Sequence, residues 1–239
     1  MTAVKTAMVL AAGYGERMRP LTSRIPKPLV PLAGRPLIDH VLDRLADAGV
    51  EKTVVNVHYL ADLLELHLRA RRKPAIVISD ERAQLLDTGG GAMKALPLLG
   101  DGPFFIHNSD SVWREGPTPA LLHMTRLWNP DAMDCLLLLA PLKTSIGFAG
   151  RGDFAMEPDG RLTRRGDRDT VPFAFAGVSL CEARLFADSP AVPFSLNLLW
   201  DRALQRGRLY GAPLDGCWMH VGTPEALTEA EASFEREGA

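Results

Sequence analysis

The chain has 239 residues, of which 46% are hydrophobic and 23% charged, the balance of a soluble α/β protein with one sizeable core. Its net charge of -2 gives no electrostatic case for binding nucleic acid, and no apolar run is long enough to span a bilayer. The chain runs into a strand pattern at once, without a basic segment and a signal-type apolar stretch, so the cytoplasm is the expected compartment. Cys135, Cys181 and Cys217 lie far apart with no CxxC pair, and the six histidines show no HExxH spacing. That excludes the common zinc and disulfide frameworks and leaves Cys135 as a core residue.

Residues 6–10 read as a short buried strand, and Leu10-Ala11-Ala12-Gly13-Tyr14-Gly15-Glu16-Arg17-Met18 leaves its C-terminal end as a glycine-rich turn. Such a turn is where α/β proteins bind phosphates. Gly13 and Gly15 allow backbone angles that bring main-chain N–H groups onto an anion, and Arg17 and Lys27 add fixed positive charge. A Walker loop is excluded because Gly15-Glu16-Arg17 replaces Gly-Lys-Ser/Thr. The dinucleotide fingerprint is excluded because Met18 stands where it needs a third glycine. Pro26 and Pro28 restrict the backbone around Lys27, so less entropy is lost when its ammonium is placed. The turn therefore predicts a nucleoside triphosphate site.

A helix is expected from Pro36, with Leu37, Ile38, Val41, Leu42 and Leu45 on one face and Gly49 closing it. A strand over 52–57, a helix over 61–72 and a strand over 75–79 follow. Asp80-Glu81 and Thr88-Gly89-Gly90-Gly91 then suggest a base pocket. The glycines admit a flat base edge and Glu81 accepts a ring N–H, which both uracil and guanine offer, so the base stays open here. A short helix over 92–99 precedes a strand over 103–107, and Asn108-Ser109-Asp110 leaves that strand's end. Asp110 thus faces the same crevice as the glycine turn and suits magnesium, which takes one or two carboxylates plus substrate phosphates. With a helix over 120–128 and a strand over 135–140, this alternation predicts a parallel or mostly parallel sheet covered on both faces.

Beyond Lys143 the character changes. Gly150-Arg151-Gly152-Asp153-Phe154 suits a loop over a polar sugar phosphate. Residues 152–157 and 161–164 read as a hairpin turning at Pro158-Asp159-Gly160. Phe173, Phe175 and Gly177 lead into a strand over 176–180 that can floor the pocket. A helix over 197–206, a short edge strand over 209–211 and a final helix capped by Thr223-Pro224, with Leu227 and Phe234 inward, complete the chain. No linker divides it. The expectation is one domain over 1–239, with a nucleotide-binding half over about 1–140 and a sugar-phosphate half over about 141–239.

The strings over 10–22 (Leu-Ala-Ala-Gly-x-Gly-Glu-Arg-Met-Arg-Pro-Leu-Thr), 26–31, 88–91, 94–100 and 150–154 resemble those of the sugar-1-phosphate nucleotidyltransferases, and the likeness runs from residue 8 to about 231. It implies a single-domain, Rossmann-like fold: a mixed, mostly parallel sheet flanked by helices. It implies a reaction joining a nucleoside triphosphate to a sugar 1-phosphate with release of pyrophosphate. Within the family the strings are most similar to short bacterial uridylyltransferases acting on N-acetylmuramate 1-phosphate in cell-wall sugar recycling. Mannose-1-phosphate guanylyltransferases using GTP come second, and a nucleotide-binding regulatory homologue with weak turnover third.

The same resemblance implies the site. Leu10, Ala11, Ala12, Gly13, Gly15, Glu16, Arg17, Glu81, Thr88 and Gly89 would bind nucleotide. Arg17, Lys27 and Asp110 would carry catalysis, and Asn108, Gly150, Asp153 and Gly177 would bind the sugar phosphate. Asp110 would hold Mg2+. Trp218-Met219-His220-Val221-Gly222-Thr223 resembles the family's Trp-x-Asp-x-Gly-Thr, whose aspartate shares the metal, but His220 stands in its place. Imidazole suits magnesium poorly. Three outcomes stay open: metal on Asp110 and phosphates alone, Asp215 substituting, or His220 donating to a phosphate. The expected state is a monomer or small homo-oligomer, with no nucleic-acid or membrane partner.

Overall fold

The structure, a computed structural model, describes residues 3–236. The apolar runs and amphipathic stretches of the first half alternate as β1 (Thr6–Leu10), a small hairpin of β2 (Pro31–Leu32) and β3 (Arg35–Pro36), α1 (Leu37–Asp47), β4 (Lys52–Val57), α2 (Ala61–Leu68), β5 (Ala75–Asp80), α3 (Asp87–Leu99), β6 (Phe104–Asn108), β7 (Ser111–Glu115), α4 (Ala120–Leu127) and β8 (Cys135–Pro141). The second half adds β9 (Phe154–Met156), β10 (Leu162–Arg164), β11 (Phe173–Cys181), α5 (Asn197–Gln205), β12 (Leu209–Pro213), β13 (Gly216–His220) and α6 (Pro224–Glu235).

The main sheet runs β10-β9-β11-β6-β1-β4-β5, with β8 and then β12 attached through β11. Strands β6, β1, β4 and β5 are mutually parallel, so the segments leaving their C-terminal ends open on one edge. Strand β11 reverses direction against β6 and joins the second half. Alternate residues of β1 show why both faces are covered. Ala7 and Val9 pack with Ile38, Val41, Leu42 and Leu45 of α1, while Met8 packs with Ala92, Ala95 and Leu99 of α3. A third apolar cluster, including Met18, Leu37, Val112, Met219 and Ala230, lies under a separate antiparallel ribbon of β7 and β13.

The α/β fold and its mixed sheet agree with expectation, as do the hairpin of β9 and β10 and the Thr223 cap, whose hydroxyl accepts from Ala226 N–H at 3.2 Å. Cys135 is fully buried. Helix α2 stops at Leu68, short of the expected 72, and α3 begins at Asp87 rather than 92, taking the glycine run into its first turns. Strand β11 is longer than expected, and neither ribbon strand was foreseen. No helix among the described residues is long and apolar enough to cross a membrane. The ends of the expected 1–239 domain, residues 1–2 and 237–239, lie outside the described residues.

Candidate active site

A cavity of about 470 Å³ opens where β1, β4 and β6 end. Leu10 and the turn after β1, through Met18, form about half of its wall. Lys27, Pro28, Asn56, Leu85, Asp87, Thr88, Asn108, Ser109, Asp110 and Gly222 complete it. The structure thus brings together Leu10, Ala11, Ala12, Gly13, Gly15, Glu16, Arg17, Lys27, Thr88, Asn108 and Asp110, which are separated by up to a hundred residues in sequence.

Local chemistry shapes the turn. Gly15 sits at φ 64°, a left-handed conformation that side chains resist, and a Cβ there would come within 3.0 Å of Lys27 Cβ. Its carbonyl accepts from Thr22 Oγ1 at 2.8 Å and from Met18 N–H at 2.9 Å. These bonds fold residues 16–18 into a short helical turn, with Met18 buried and Arg17 exposed. Arg17 makes no hydrogen bond or ion pair among the described residues. Lys27 opens another short helical turn directly after an extended Pro26.

The Lys27 ammonium pairs with Asp110 Oδ2, and the two side chains are 11% and 28% exposed. Burial alone would push the Asp110 carboxyl up, but Lys27, and after it His220, outweigh that and hold it below the usual carboxylate range. Asp110 occupies the tight turn between β6 and β7, where Ser109 N–H donates to the Leu10 carbonyl at 3.1 Å and ties the turn to β1. Beneath it, His107 is fully buried, bonds the Asn108 carbonyl through Nδ1 at 2.8 Å and stacks on Trp113. Burial pushes the His107 imidazole down to about 3.

His220 ends β13 opposite Ser111, so the ribbon carries it to the Asp110 turn. Its ring sits among Phe148 and Trp218 and presses on Gly222, where a Cβ would lie 2.5 Å from Nε2. Burial pushes the imidazole below its usual value, Asp110 and Asp153 oppose, and Lys27 and Arg17 reinforce, leaving a neutral ring at pH 7. Asp215 lies at the far end of the ribbon beside Gly116, so it does not substitute for the missing acid. Among the described residues no three His, Cys, Asp or Glu side chains cluster to hold a metal. Three carboxylates line the cavity without clustering, Glu16, Asp87 and Asp110, and Asp110 is the one paired with Lys27. This fits a magnesium ion that draws its other oxygens from substrate and water, and it does not fit a cage made of protein alone.

Two residues expected at the base lie behind the wall. Glu81 is 1% exposed, and its carboxylate accepts from Asn56 Nδ2 at 2.7 Å and Leu86 N–H at 3.0 Å. Asn56 Oδ1 in turn accepts Ala11 N–H at 2.7 Å, so that amide is spent inside the protein. Gly89 packs under Phe194, whose carbonyl accepts its N–H at 2.8 Å. Both placements have the same cause: α3 starts early and lies close against β4 and the 194–196 segment. Thr88 does reach the cavity, with its hydroxyl accepting from Leu196 N–H at 3.0 Å.

On the sugar side, Asn108 lines the cavity, whereas Gly150, Asp153 and Gly177 do not. Asp153 Oδ2 accepts Phe175 N–H at 2.9 Å and braces β11. Gly177 marks the irregularity in β11, where a Cβ would lie 2.6 Å from Ser111 Cβ. Gly150 packs against the Phe148 ring. Sequence reasoning missed Tyr14, Asn56, Leu85 and Asp87. The one available signal was position, since Asn56 ends a strand neighbouring the glycine turn's strand.

Residues 6–141 match the family described as nucleotidyl transferase. The chain is 50% identical over 234 residues to an N-acetylmuramate alpha-1-phosphate uridylyltransferase of Caulobacter vibrioides, covering 96% of this chain and 97% of that protein. It is 35% identical to a protein of the same description from Neisseria meningitidis serogroup B, covering 95% and 96%. Among solved structures, a UDP-glucose pyrophosphorylase from Acinetobacter baumannii superposes with a TM-score of 0.79 at 17% identity, covering 98% of this chain and 94% of that one, a likeness of fold.

Proposed function

The chain belongs to the nucleotidyl transferase family, and from that premise we propose that it joins UTP to a sugar 1-phosphate, releasing pyrophosphate, with N-acetylmuramate 1-phosphate as the sugar. The observation that carries this reading is the Lys27–Asp110 pair set beneath the glycine turn, with Arg17 free beside it. The sugar and the base rest on the half-identical relative whose description names both the sugar phosphate and the uridylyl group.

The reaction is an in-line displacement in which an oxygen of the sugar 1-phosphate attacks the α-phosphorus of UTP and pyrophosphate leaves opposite. Such transfers ask the protein for position and charge more than for covalent chemistry. The turn through Gly13 and Gly15 lines the triphosphate. Arg17 neutralises charge on the departing pyrophosphate. Lys27 leaves Asp110 for the α-phosphate and the incoming phosphate oxygen. Asp110 is the residue that would hold a magnesium ion, which would supply charge neutralisation at the phosphates. Asn108 orients the sugar phosphate, and Asp153 and Gly177 support that side through β11. His220, being neutral, donates a hydrogen bond to a phosphate instead of binding metal. Residues 1–239 act as one domain, the first half taking nucleotide and the second the sugar. The working state is a monomer or small homo-oligomer. A nucleoside triphosphate substrate sets the work in the cytoplasm, and cell-wall sugar recycling is the role this product serves.

A panel of UTP, GTP, CTP and dTTP against N-acetylmuramate, N-acetylglucosamine, glucose and mannose 1-phosphates, with magnesium and a pyrophosphate readout, tests the proposal. The expected result is highest kcat/KM for UTP with N-acetylmuramate 1-phosphate. A preference for GTP with mannose 1-phosphate reassigns the substrate. Nucleotide binding without pyrophosphate from any pair makes the protein a sensor and ends the proposal.

A further inference from the structure

Strand order places β4 between β1 and β5, so its C-terminal residues stand between the glycine turn and the segment that follows β5. Asn56 and the residue two beyond it, His58, each reach both sides. Asn56 bonds Ala11 N–H on one side and Glu81 Oε1 on the other, both at 2.7 Å. His58 Nδ1 lies 2.7 Å from the Glu81 carbonyl oxygen, and Nε2 lies 3.1 Å from Tyr14 Oη. A carbonyl oxygen only accepts, so Nδ1 carries the proton. In the neutral ring Nε2 is then an acceptor, and the Tyr14 hydroxyl donates to it.

Two rings hold Tyr14 as well. It meets His58 edge-on at 5.4 Å between centroids and tilts against Tyr59 at 5.6 Å. Tyr59 is itself tied to the turn, through its hydroxyl to the Thr22 carbonyl at 2.9 Å. Tyr14 lines the cavity and is 42% exposed, an aromatic surface fixed in place with nothing covering it. A ring already immobilised loses little further entropy when a flat ligand lies on it.

Resting on the nucleotidyl-transfer reading, we propose that Tyr14 is a nucleotide-binding residue whose ring forms an aromatic wall for the nucleobase, and that His58 and Asn56 are positioning residues fixing the distance between this wall and residues 85–88. The wall lies on the β4 side of β1, opposite β6, the strand that leads to Asp110. Its loss therefore acts on the nucleotide and spares the sugar phosphate.

Steady-state kinetics of the full chain, with UTP and the sugar 1-phosphate varied in turn, and calorimetric UTP titrations on the same proteins provide the test. Tyr14→Ala is expected to raise the KM and Kd for UTP about tenfold, the loss typical of a stacked base, and to leave the KM of the sugar 1-phosphate within about twofold. Tyr14→Phe and His58→Ala each give about a threefold rise. The double variant is no worse than the worse single one, because both changes remove the same bond. If His58→Ala fails to fold, the two Tyr14 variants still decide. UTP affinity unchanged in Tyr14→Ala, or an equal rise in the sugar phosphate KM, overturns the wall; multiplying effects in the double variant overturn the brace. A protein that binds UTP through Tyr14 yet releases no pyrophosphate loses the nucleotidyl-transfer reading alone, whereas one that binds no nucleotide loses both.

Discussion

At one end of the cavity Arg17 is exposed with no partner among the described residues and Lys27 has only Asp110, whereas at the other end Asn56, His58 and Glu81 bond one another and the backbone on both sides. The charged end keeps groups that can change partners when an anion arrives. The neutral end has used its polar groups internally and offers a surface of fixed shape. On the proposed reading, affinity for the phosphate chain and recognition of the base are separable, because the first draws on free charge and the second on geometry held by buried hydrogen bonds.

Substitutions can sharpen or break that contrast. The largest effect is expected for Lys27→Ala, a loss of kcat of about 10²–10³-fold, by analogy with a donor that stabilises charge only in the transition state. A pyrophosphate-release assay at saturating substrates reads it. Turnover within tenfold of normal would place the chemistry elsewhere. Next comes Glu81→Ala, which leaves Asn56 Nδ2 and the half-buried Leu86 N–H without acceptors and should cost about 2–6 kcal/mol of stability at roughly 1–3 for each orphaned group. Urea unfolding measures that cost. The kinetic change should fall on the UTP KM, so a kcat loss matching that of Lys27→Ala would erase the distinction between the two ends.

A pH-dependent effect of similar size belongs to His107 under the Asp110 turn. Its folded value, about 3, lies below the ordinary histidine value near 6.5, so the unfolded chain binds the extra proton first. Its contribution is complete above about pH 6.5 and drains away as the pH falls towards 3, at no more than about 1.4 kcal/mol per pH unit. Unfolding free energies of wild type and His107→Gln at pH 7, 5.5 and 4 should converge as the pH drops. Parallel curves would show that burial of a neutral imidazole does not support the turn.

How much was legible in the sequence follows the same division. The phosphate turn is nearly contiguous, and Gly15, Arg17 and Lys27 announce themselves by type and spacing. Asn56 and His58 are single polar residues at the end of an apolar strand, and no motif marks them. The run Thr88 to Gly91 reads as a base pocket ahead of a helix over 92–99, because glycine disfavours helix. It is nevertheless helical because a Cβ on Gly91 would come within 2.7 Å of Glu81 Oε1 and one on Gly89 would strike Phe194. Close approach, set by distant residues, overrides propensity. The alternation of strands and helices fixed the sheet in advance. The ribbon stayed hidden because β7 and β13 are short, mixed in polarity and about a hundred residues apart.

That ribbon has a consequence for how the molecule comes into being. Strand β7, which leaves Asp110, is paired along its length by residues 216–220, and Trp218 Nε1 donates to Ser111 Oγ at 3.0 Å. On the ribosome the glycine turn and Lys27 emerge about two hundred residues before residues 216–220, and until those arrive the strand beyond Asp110 keeps an open edge. The newborn protein therefore holds its nucleotide signature well before it holds a finished reaction centre, and a stalled or clipped product would carry the first without the second.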